Sequence, residues 1–295
     1  MPVTDSINYR NFLAGLDNLN SQMGIANQEV STGKKLLSLK DSPSGSAEVV
    51  NLLSQISELD QYQSNNNSVT YSLNLADSAL NSLNNLVTSI YTTGSGVASS
   101  TTSAQDRATA AAEIRSMRDQ VLALANTESN NDYIFGGSES TTAPFTISGD
   151  TVTLNGNPSW RTTVNSVSVA DGVQVQQNVP GATVFQSVFT TISSLLTALD
   201  NNDSAGVQSA LGNFSSTLSS IGQVRAQVDS NLSQLSNLQS QLASNITSLT
   251  SRQSQIQDAN QAEVATQLSQ TQTAIEAALS AQNYVTQYNL FDFLA

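Results

Sequence analysis

The sequence predicts a mainly α-helical fold: an elongated antiparallel coiled coil or bundle of long helices, formed by N- and C-terminal arms, with a small inserted β domain. Apolar residues alternate in steps of three and four through the C-terminal third, and the same spacing fills the first 90 residues. Between these arms lie short apolar segments separated by glycine turns. Because long helices with a narrow apolar stripe are stable only against other helices, we expect the arms to pack together, with both chain ends at one end of a rod.

The first helix is predicted over residues 4–31, with Thr4, Asp5 or Ser6 as its N-cap. Gly33 follows as the left-handed residue that commonly ends a helix. Residues 28–35 lack the first glycine and the Ser/Thr of a phosphate-binding loop, which excludes a nucleotide site there. The apolar stripe of this helix is Tyr9, Phe12, Leu16, Leu19, Met23, Ala26 and Val30.

Two more helices follow in the N-terminal arm. The second begins at Asp41 or Ser42 and ends near residues 92–96, and its stripe includes the polar residues Gln63 and Asn66. Buried polar positions of this kind weaken packing but fix the register. The third covers residues 104–126, where the arginines alternate with acidic residues and predict a solvated face: Arg107, Arg115 and Arg118.

The inserted β domain is predicted from Asp132 to about Phe185. Its apolar segments are three to six residues long, and Gly136-Gly137, Gly149-Asp150 and Asp171-Gly172 are turn signals between them. A helix over residues 185–199 and a turn at 200–203 lead into the C-terminal arm.

The C-terminal arm keeps a heptad stripe for about six heptads, which at about 1.5 Å per residue gives a helix near 70 Å long. A break near Asp258-Ala259-Asn260 precedes the last helix, which ends on an apolar segment. The stripe before the break is Phe214, Leu218, Ile221, Val228, Leu232, Leu235, Leu242, Ile246, Leu249 and Ile256. The apolar residues after it include Val264, Leu268, Ile275, Leu279, Val285, Leu290, Phe291, Phe293 and Leu294.

Composition excludes several classes of function. A net charge of −13 argues against nucleic-acid binding, and the absence of Cys and His removes disulfides, thiol chemistry and imidazole catalysis. The sequence suggests no metal and no cofactor. No run approaches 18 apolar residues, so no membrane partner is expected, and the N-terminus lacks the basic and apolar regions of a cleaved secretory signal.

Only 11% of residues are charged, so the outer helix faces carry Ser, Thr, Asn and Gln. We interpret these faces as surfaces that pack against copies or relatives, with a compositional bias of the source lineage as the alternative. The carboxylate pairs Glu128 with Asp132 and Asp200 with Asp203 lack an acid–base neighbour, and polar turns explain them better than catalysis.

Several segments resemble the flagellin family. Residues 31–35 (STGKK) and 39–45 (LKDSPSG) between long helices resemble its N-terminal signature, and residues 258–265 (DANQAEVA) its C-terminal signature. Thr32 and Ser42 depart from the commoner residues at their positions. Residues 131–138 (NDYIFGGS), the following Pro144-Phe145 and the ending LFDFL are similar to the branch that joins the hook to the filament.

The resemblance implies a structural adapter of the bacterial flagellum, located outside the cell and exported through the flagellar type III route without a cleaved signal peptide. Its implied partners are an export chaperone, the first hook-associated protein, flagellin, and further copies in a ring of about eleven. It assigns residues 1–43 and 258–295 to polymerisation helices, 44–131 and 186–257 to the arms of a helical rod, and 132–185 to the inserted β domain. The stripe residues of the terminal helices would bind the neighbours.

Two other functions stay open at this stage. Flagellin itself, the bulk filament subunit, shares every feature of the termini, so only residues 131–138 and the ending argue against it. An enzyme carried by the β insert is the other alternative, although the insert has few carboxylates and the sole Trp160.

Overall fold

The computed structural model describes the backbone of residues 2–38, 40–129 and 131–294, and the side chains of residues 7, 9–38, 40–129 and 131–284. Within these residues the chain is mainly helical, with short antiparallel strands in its middle, as the sequence predicts. The helices are α1 (Pro2–Thr32), α2 (Pro43–Gly96), α3 (Ala104–Ala125), α4 (Pro158–Arg161), α5 (Gly181–Asp200), α6 (Ser204–Gln257) and α7 (Gln261–Leu294). The strands are β1 (Glu128–Ser129), β2 (Asp132–Tyr133), β3 (Phe145–Ser148), β4 (Thr151–Leu154), β5 (Ser166–Ala170) and β6 (Val173–Gln176).

The chain divides into two compact units. The terminal unit combines Met1–Glu58 with Ile246–Ala295, and the middle unit is Leu59–Asn245. In the terminal unit α1 packs against α7, so the two ends of the chain come together as the heptad patterns predict. The division of the flanking arms into the predicted domains stays a prediction.

The middle unit owes its core to the two long heptad stripes. Leu73, Leu80 and Leu83 of α2 and Phe214 and Leu235 of α6 are almost completely buried in one cluster. Asn66, predicted as a polar position of the stripe, is fully buried, and its amide Nδ2 donates to the Leu235 carbonyl at 3.0 Å. This bond satisfies the amide and sets the register of the two helices.

Helix α5 fills the space between the stripes and the β insert. Its Phe185 and Phe189 meet Phe135 and Phe145 of the insert, with ring centroids 4.9 Å apart for Phe135–Phe185 and 5.2 Å for Phe145–Phe189. By length and mean hydropathy (1.4) α5 could cross a membrane, but most of it is buried inside the unit. Its apolar character is therefore accounted for by the core it helps to form.

The β insert consists of three separate two-stranded antiparallel sheets, β1–β2, β3–β4 and β5–β6. The predicted end of the insert at Phe185 is wrong, because α5 begins at Gly181. A side chain at Gly181 would lie 2.8 Å from Phe135 Cβ, so this glycine allows the helix to start against the phenylalanine cluster. The short helix α4 is missing from the prediction; Asn157 Oδ1 caps it by accepting from Ser159 N at 3.0 Å.

The predicted solvated face of α3 is wrong for two of its three arginines. Arg107 and Arg118 are almost fully buried. The Arg107 guanidinium donates to the carbonyls of Ser99 and Val97 and to the Asn202 side chain, which all lie in loops. The charges on one helix face do not reveal that loops distant in sequence will cover them with carbonyl oxygens.

Helix boundaries at the N-terminus also differ in detail. Helix α1 begins at Pro2, ahead of the predicted N-caps at residues 4–6, and proline suits the first helical position. Of the two candidates for the cap of α2, Ser42 fills the role, since its hydroxyl accepts from Gly45 N at 3.1 Å.

Candidate assembly surface on the terminal unit

The junction of α1 with the following loop pairs with the junction between α6 and α7. Lys35 N donates to the Gln257 carbonyl at 2.8 Å, and Ala259 N donates to the Gly33 carbonyl at 2.9 Å. These bonds close an antiparallel bridge between Lys34 and Asp258. We call residues 33–36 with 257–259 the junction bridge. The predicted helix break near residue 258 is confirmed, and the bridge fixes where both terminal helices leave the loops.

Gly33 and Asp41 shape the loop beside the junction bridge. Gly33 has φ +71°, the left-handed conformation that the sequence predicts for it. Asp41 Oδ2 accepts from Ser38 N at 2.7 Å and from Leu37 N at 2.9 Å. The backbone N–H of Ser38, which has the largest effect, and that of Leu37 lower the pKa of Asp41. Their hydrogen bonds favour the ionised form of the carboxylate that orders the loop.

The terminal unit buries little apolar surface. Among its described side chains, the buried apolar residues are Ala26, Val49, Leu52 and Val264. Six further stripe residues of α1 and α7 are half-buried: Phe12, Leu16, Leu19, Met23, Leu268 and Ile275. The stripe is only half covered, so a large part of the apolar surface of this unit stays exposed.

Large apolar side chains are exposed over the same unit. Tyr9 and Leu279 keep 53% and 46% of their surface accessible, although both belong to the predicted stripe. Val285, Leu290, Phe291, Phe293 and Leu294, which the sequence also assigns to assembly, lie outside the residues whose side chains are described. We call the exposed set the apolar surface of the terminal unit: Ile7, Tyr9, Leu13, Ile25, Val30, Leu37, Val50, Leu53, Leu279 and Tyr284.

Several members of this surface are absent from the sequence-based site. Val50, at 62% exposure, and Leu53 lie on α2, each directly after a buried stripe residue, Val49 and Leu52. The available signal was this doubling of apolar residues, because a one-sided helix needs only one residue at each stripe position. Ile25 on α1 shows a similar doubling, because it lies directly before the buried stripe residue Ala26.

A polar groove of about 600 Å³ runs between α1 and α7. Uncharged amides and hydroxyls form most of it, with Leu19 at one side and Glu263 near one end. This is the arrangement expected of a helix surface that accepts uncharged neighbours. Its polar residues are Gln22, Thr266, Gln267, Gln270 and Thr271.

Three of the four carboxylates considered for catalysis have structural partners. Asp200 pairs with Arg115 at 2.6 Å, and Asp132 accepts from Ser140 Oγ at 2.7 Å. Glu128 hydrogen-bonds the Tyr133 hydroxyl, which raises the pKa of that tyrosine. Within the described part of the chain, no group of three or more Asp or Glu side chains converges as a metal site would require.

Comparison with known proteins agrees with this architecture. Residues 3–140 match the bacterial flagellin N-terminal helical region. Flagellar hook-associated protein 3 of Escherichia coli K12 is 30% identical over 138 residues, which are 46% of this chain and 44% of that protein. The chain thus aligns with less than half the length of this curated relative.

Solved structures extend the likeness to both arms. A candidate flagellar hook-associated protein of Vibrio parahaemolyticus superposes with a TM-score of 0.67 and 22% identity, covering 74% of this chain and 100% of that one. Flagellar hook-associated protein 3 of Legionella pneumophila superposes with a TM-score of 0.63 and 14% identity, covering 70% of this chain and 98% of that one. These structures establish the fold. The resemblance drawn from the sequence is therefore confirmed: residues 3–140 match the flagellin N-terminal helical region, and the chain is similar in sequence and in fold to flagellar hook-associated protein 3.

Proposed function

We propose that this chain is a structural adapter subunit of the bacterial flagellum, joining the hook-associated zone to the flagellin filament. The observation that supports it most is the contrast between the units. The middle unit closes its own core, whereas the terminal unit buries few apolar side chains and exposes many. Subunits that complete their burial only on assembly gain stability from their neighbours by mass action.

In this proposal the apolar surface of the terminal unit contacts the neighbouring subunits. Its helices lie against further copies in a ring of about eleven, a closed assembly of head-to-tail interfaces. The first hook-associated protein binds on the hook side and flagellin on the filament side. The stripe residues predicted from the sequence, including the terminal ones from Val285 to Leu294, are assigned to these contacts.

The same proposal includes the route by which the subunit leaves the cell and the absence of an enzymatic role. The subunit reaches the cell exterior through the flagellar type III route without a cleaved signal, and a chaperone covers its C-terminal helix before assembly. An exposed apolar helix is an aggregation hazard in the free chain, which gives the chaperone its physical reason. We assign no enzymatic activity to the chain, since three of the four carboxylates considered for catalysis, Glu128, Asp132 and Asp200, are engaged in structural bonds.

Flagellin is the second candidate, because residues 3–140 match a region named for flagellin. Seeded polymerisation separates the two functions. Purified protein is mixed with hook or filament fragments and examined by electron microscopy. A junction adapter adds a thin layer, stops, and then lets added flagellin continue. Long filaments of this protein alone would make it a flagellin and refute the adapter.

A substitution on α7 tests the surface itself. Leu279→Asp places a charge on an exposed helix face, so folding is expected to persist while addition to fragments falls at least tenfold, since burying an unpaired charge is costly. Leu279→Met is the matched control, because it keeps the size and apolar character, and should assemble normally. Normal assembly of folded Leu279→Asp would show that this face makes no contact.

A further inference from the structure

A cleft in the middle unit has no role in the assembly proposed above. It lies among α2, the β1–β2 hairpin, the loop after β2 and the segments that flank the β5–β6 hairpin, and its volume is about 230 Å³. Two tyrosines and several amides and carboxylate or hydroxyl groups line it. We call it the tyrosine cleft, with the lining residues that matter here: Tyr71, Ser129, Asp132, Tyr133, Asn165 and Gln177.

The tyrosines provide an aromatic wall. Tyr71 on α2 keeps 59% of its surface exposed. Tyr133 is half-buried and its hydroxyl is bonded to Glu128, which fixes the ring at the opposite side. Aromatic faces present negative charge density, so they attract the C–H groups of a flat apolar ring face.

The polar groups of the cleft are held in place by the protein. Asp132 Oδ1 accepts from Ser140 Oγ at 2.7 Å. Asn165 N donates to Asn178 Oδ1 at 2.7 Å, and Gln177 N donates to the Asn165 carbonyl at 2.8 Å. The Ser140 bond fixes the Asp132 carboxylate, and the backbone bonds fix the segment positions of Asn165 and Gln177, so a ligand need not order them, which favours binding.

The charge and the volume of the tyrosine cleft limit the kinds of ligand that it can bind. Asp132 carries the charge of the cleft, and among the described lining residues there is no lysine or arginine that could hold an anion. The volume is below the roughly 300–1,000 Å³ of pockets for drug-sized ligands, so a single small ring fits better than an extended molecule. A carboxylate accepts hydrogen bonds from hydroxyl groups, and a side-chain amide can both donate to hydroxyls and accept from them.

A neutral ring with hydroxyls around its edge and C–H groups on its face satisfies all of these conditions. We propose that the tyrosine cleft binds one ring of a neutral saccharide. The ring lies with its C–H face on Tyr71, while its hydroxyls donate to Asp132 and pair with the Gln177 amide. Attachment of the flagellum to a glycan-bearing surface is the use that such a site would have.

Saturation-transfer difference NMR on the full chain tests this directly. The probes are the methyl glycosides of glucose, galactose and N-acetylglucosamine at millimolar concentration. At least one should receive saturation, with its ring C–H protons most strongly affected. Tyr71→Ala and Asp132→Asn should each weaken the binding about tenfold, because each removes one principal contact.

Two controls keep the result specific. Tyr71→Phe preserves the aromatic face and should bind nearly as the native protein does, and Tyr284→Ala removes an exposed tyrosine from the other unit and should change nothing. Circular dichroism verifies that each variant is folded. No transfer to any of the three probes, or equal transfer in folded Tyr71→Ala, would overturn the proposal.

Discussion

Arg161 shows how one buried residue organises the β insert. Its guanidinium is fully buried and donates to the carbonyls of Asn155 (2.8 Å), Gly136 (3.0 Å) and Glu139 (2.5 Å) and to Thr142 Oγ1 (2.8 Å). It therefore ties together loops that the separate two-stranded sheets leave unconnected. The Glu139 carboxylate lies 3.7 Å away and balances its charge.

Replacing this residue should destabilise the middle unit. Arg161→Met leaves three carbonyls and the Glu139 carboxylate without their buried partner, and we expect the free energy of unfolding to fall by about 3–5 kcal/mol. Urea unfolding followed by the fluorescence of the neighbouring Trp160 measures it. Arg252→Met, at an exposed pair with Glu48, is the control and should cost under about 1 kcal/mol. A similar small loss for both variants would contradict the role given to Arg161.

At the scale of elements, the β3–β4 hairpin is attached to the helices through its turn. Asp150 accepts from Arg115 Nε at 3.0 Å and from Arg118 Nη1 at 2.9 Å, both on α3. The hydrogen bond from Arg115, which has the largest effect, and the one from Arg118 lower the pKa of Asp150 to about 2. A carboxyl whose pKa is depressed on folding stabilises the protein above its unfolded pKa, near 3.9, and loses this effect as the pH falls towards 2.

The corresponding variant has a distinctive pH profile. Asp150→Asn should lower the melting temperature by a constant amount between pH 5 and 7, and by progressively less from about pH 4 to pH 2. Thermal unfolding of both proteins across this range measures the difference. Asp171→Asn, in the exposed turn of β5–β6, is the control and should follow the native protein throughout. A difference independent of pH would exclude the ion pairs as its cause.

The sequence predicts helices well where apolar residues recur in steps of three and four, as in α2 and α6. In these helices the burial of one apolar stripe contributes most of the stability. It fails at Arg107 and Arg118, because their partners include Asn202 and Asp150, which lie in turns distant in the chain. It also misses α4, because four residues are too few to show a helical period. For the terminal unit, the stripe from Phe12 to Ile275 is recognisable, but the exposure of Val50 or Ile25 depends on which neighbour is missing.

For the whole molecule, the two units should differ in stability. The terminal unit has few buried apolar side chains, so its helices are expected to open far more often than the middle unit. Limited proteolysis of dilute protein, followed by mass spectrometry, should cut within residues 1–58 and 246–295 first and leave a core near residues 59–245. Incorporation into an assembly should protect the same segments. Equal resistance of both units in the free chain would contradict this expectation.

The junction bridge also bears on the order of folding. Beside it, the Lys35 ammonium donates to the Gln255 carbonyl, which lies 220 positions further along the chain. Direct closure of so long a loop is entropically slow, but the folded middle unit already holds Asn67 and Gln239 at 3.1 Å. Once this contact has formed, only short segments remain to be closed between it and the junction bridge. A chain that emerges unfolded from a narrow channel would therefore complete its middle first, and its two ends would close only after the last residue is free.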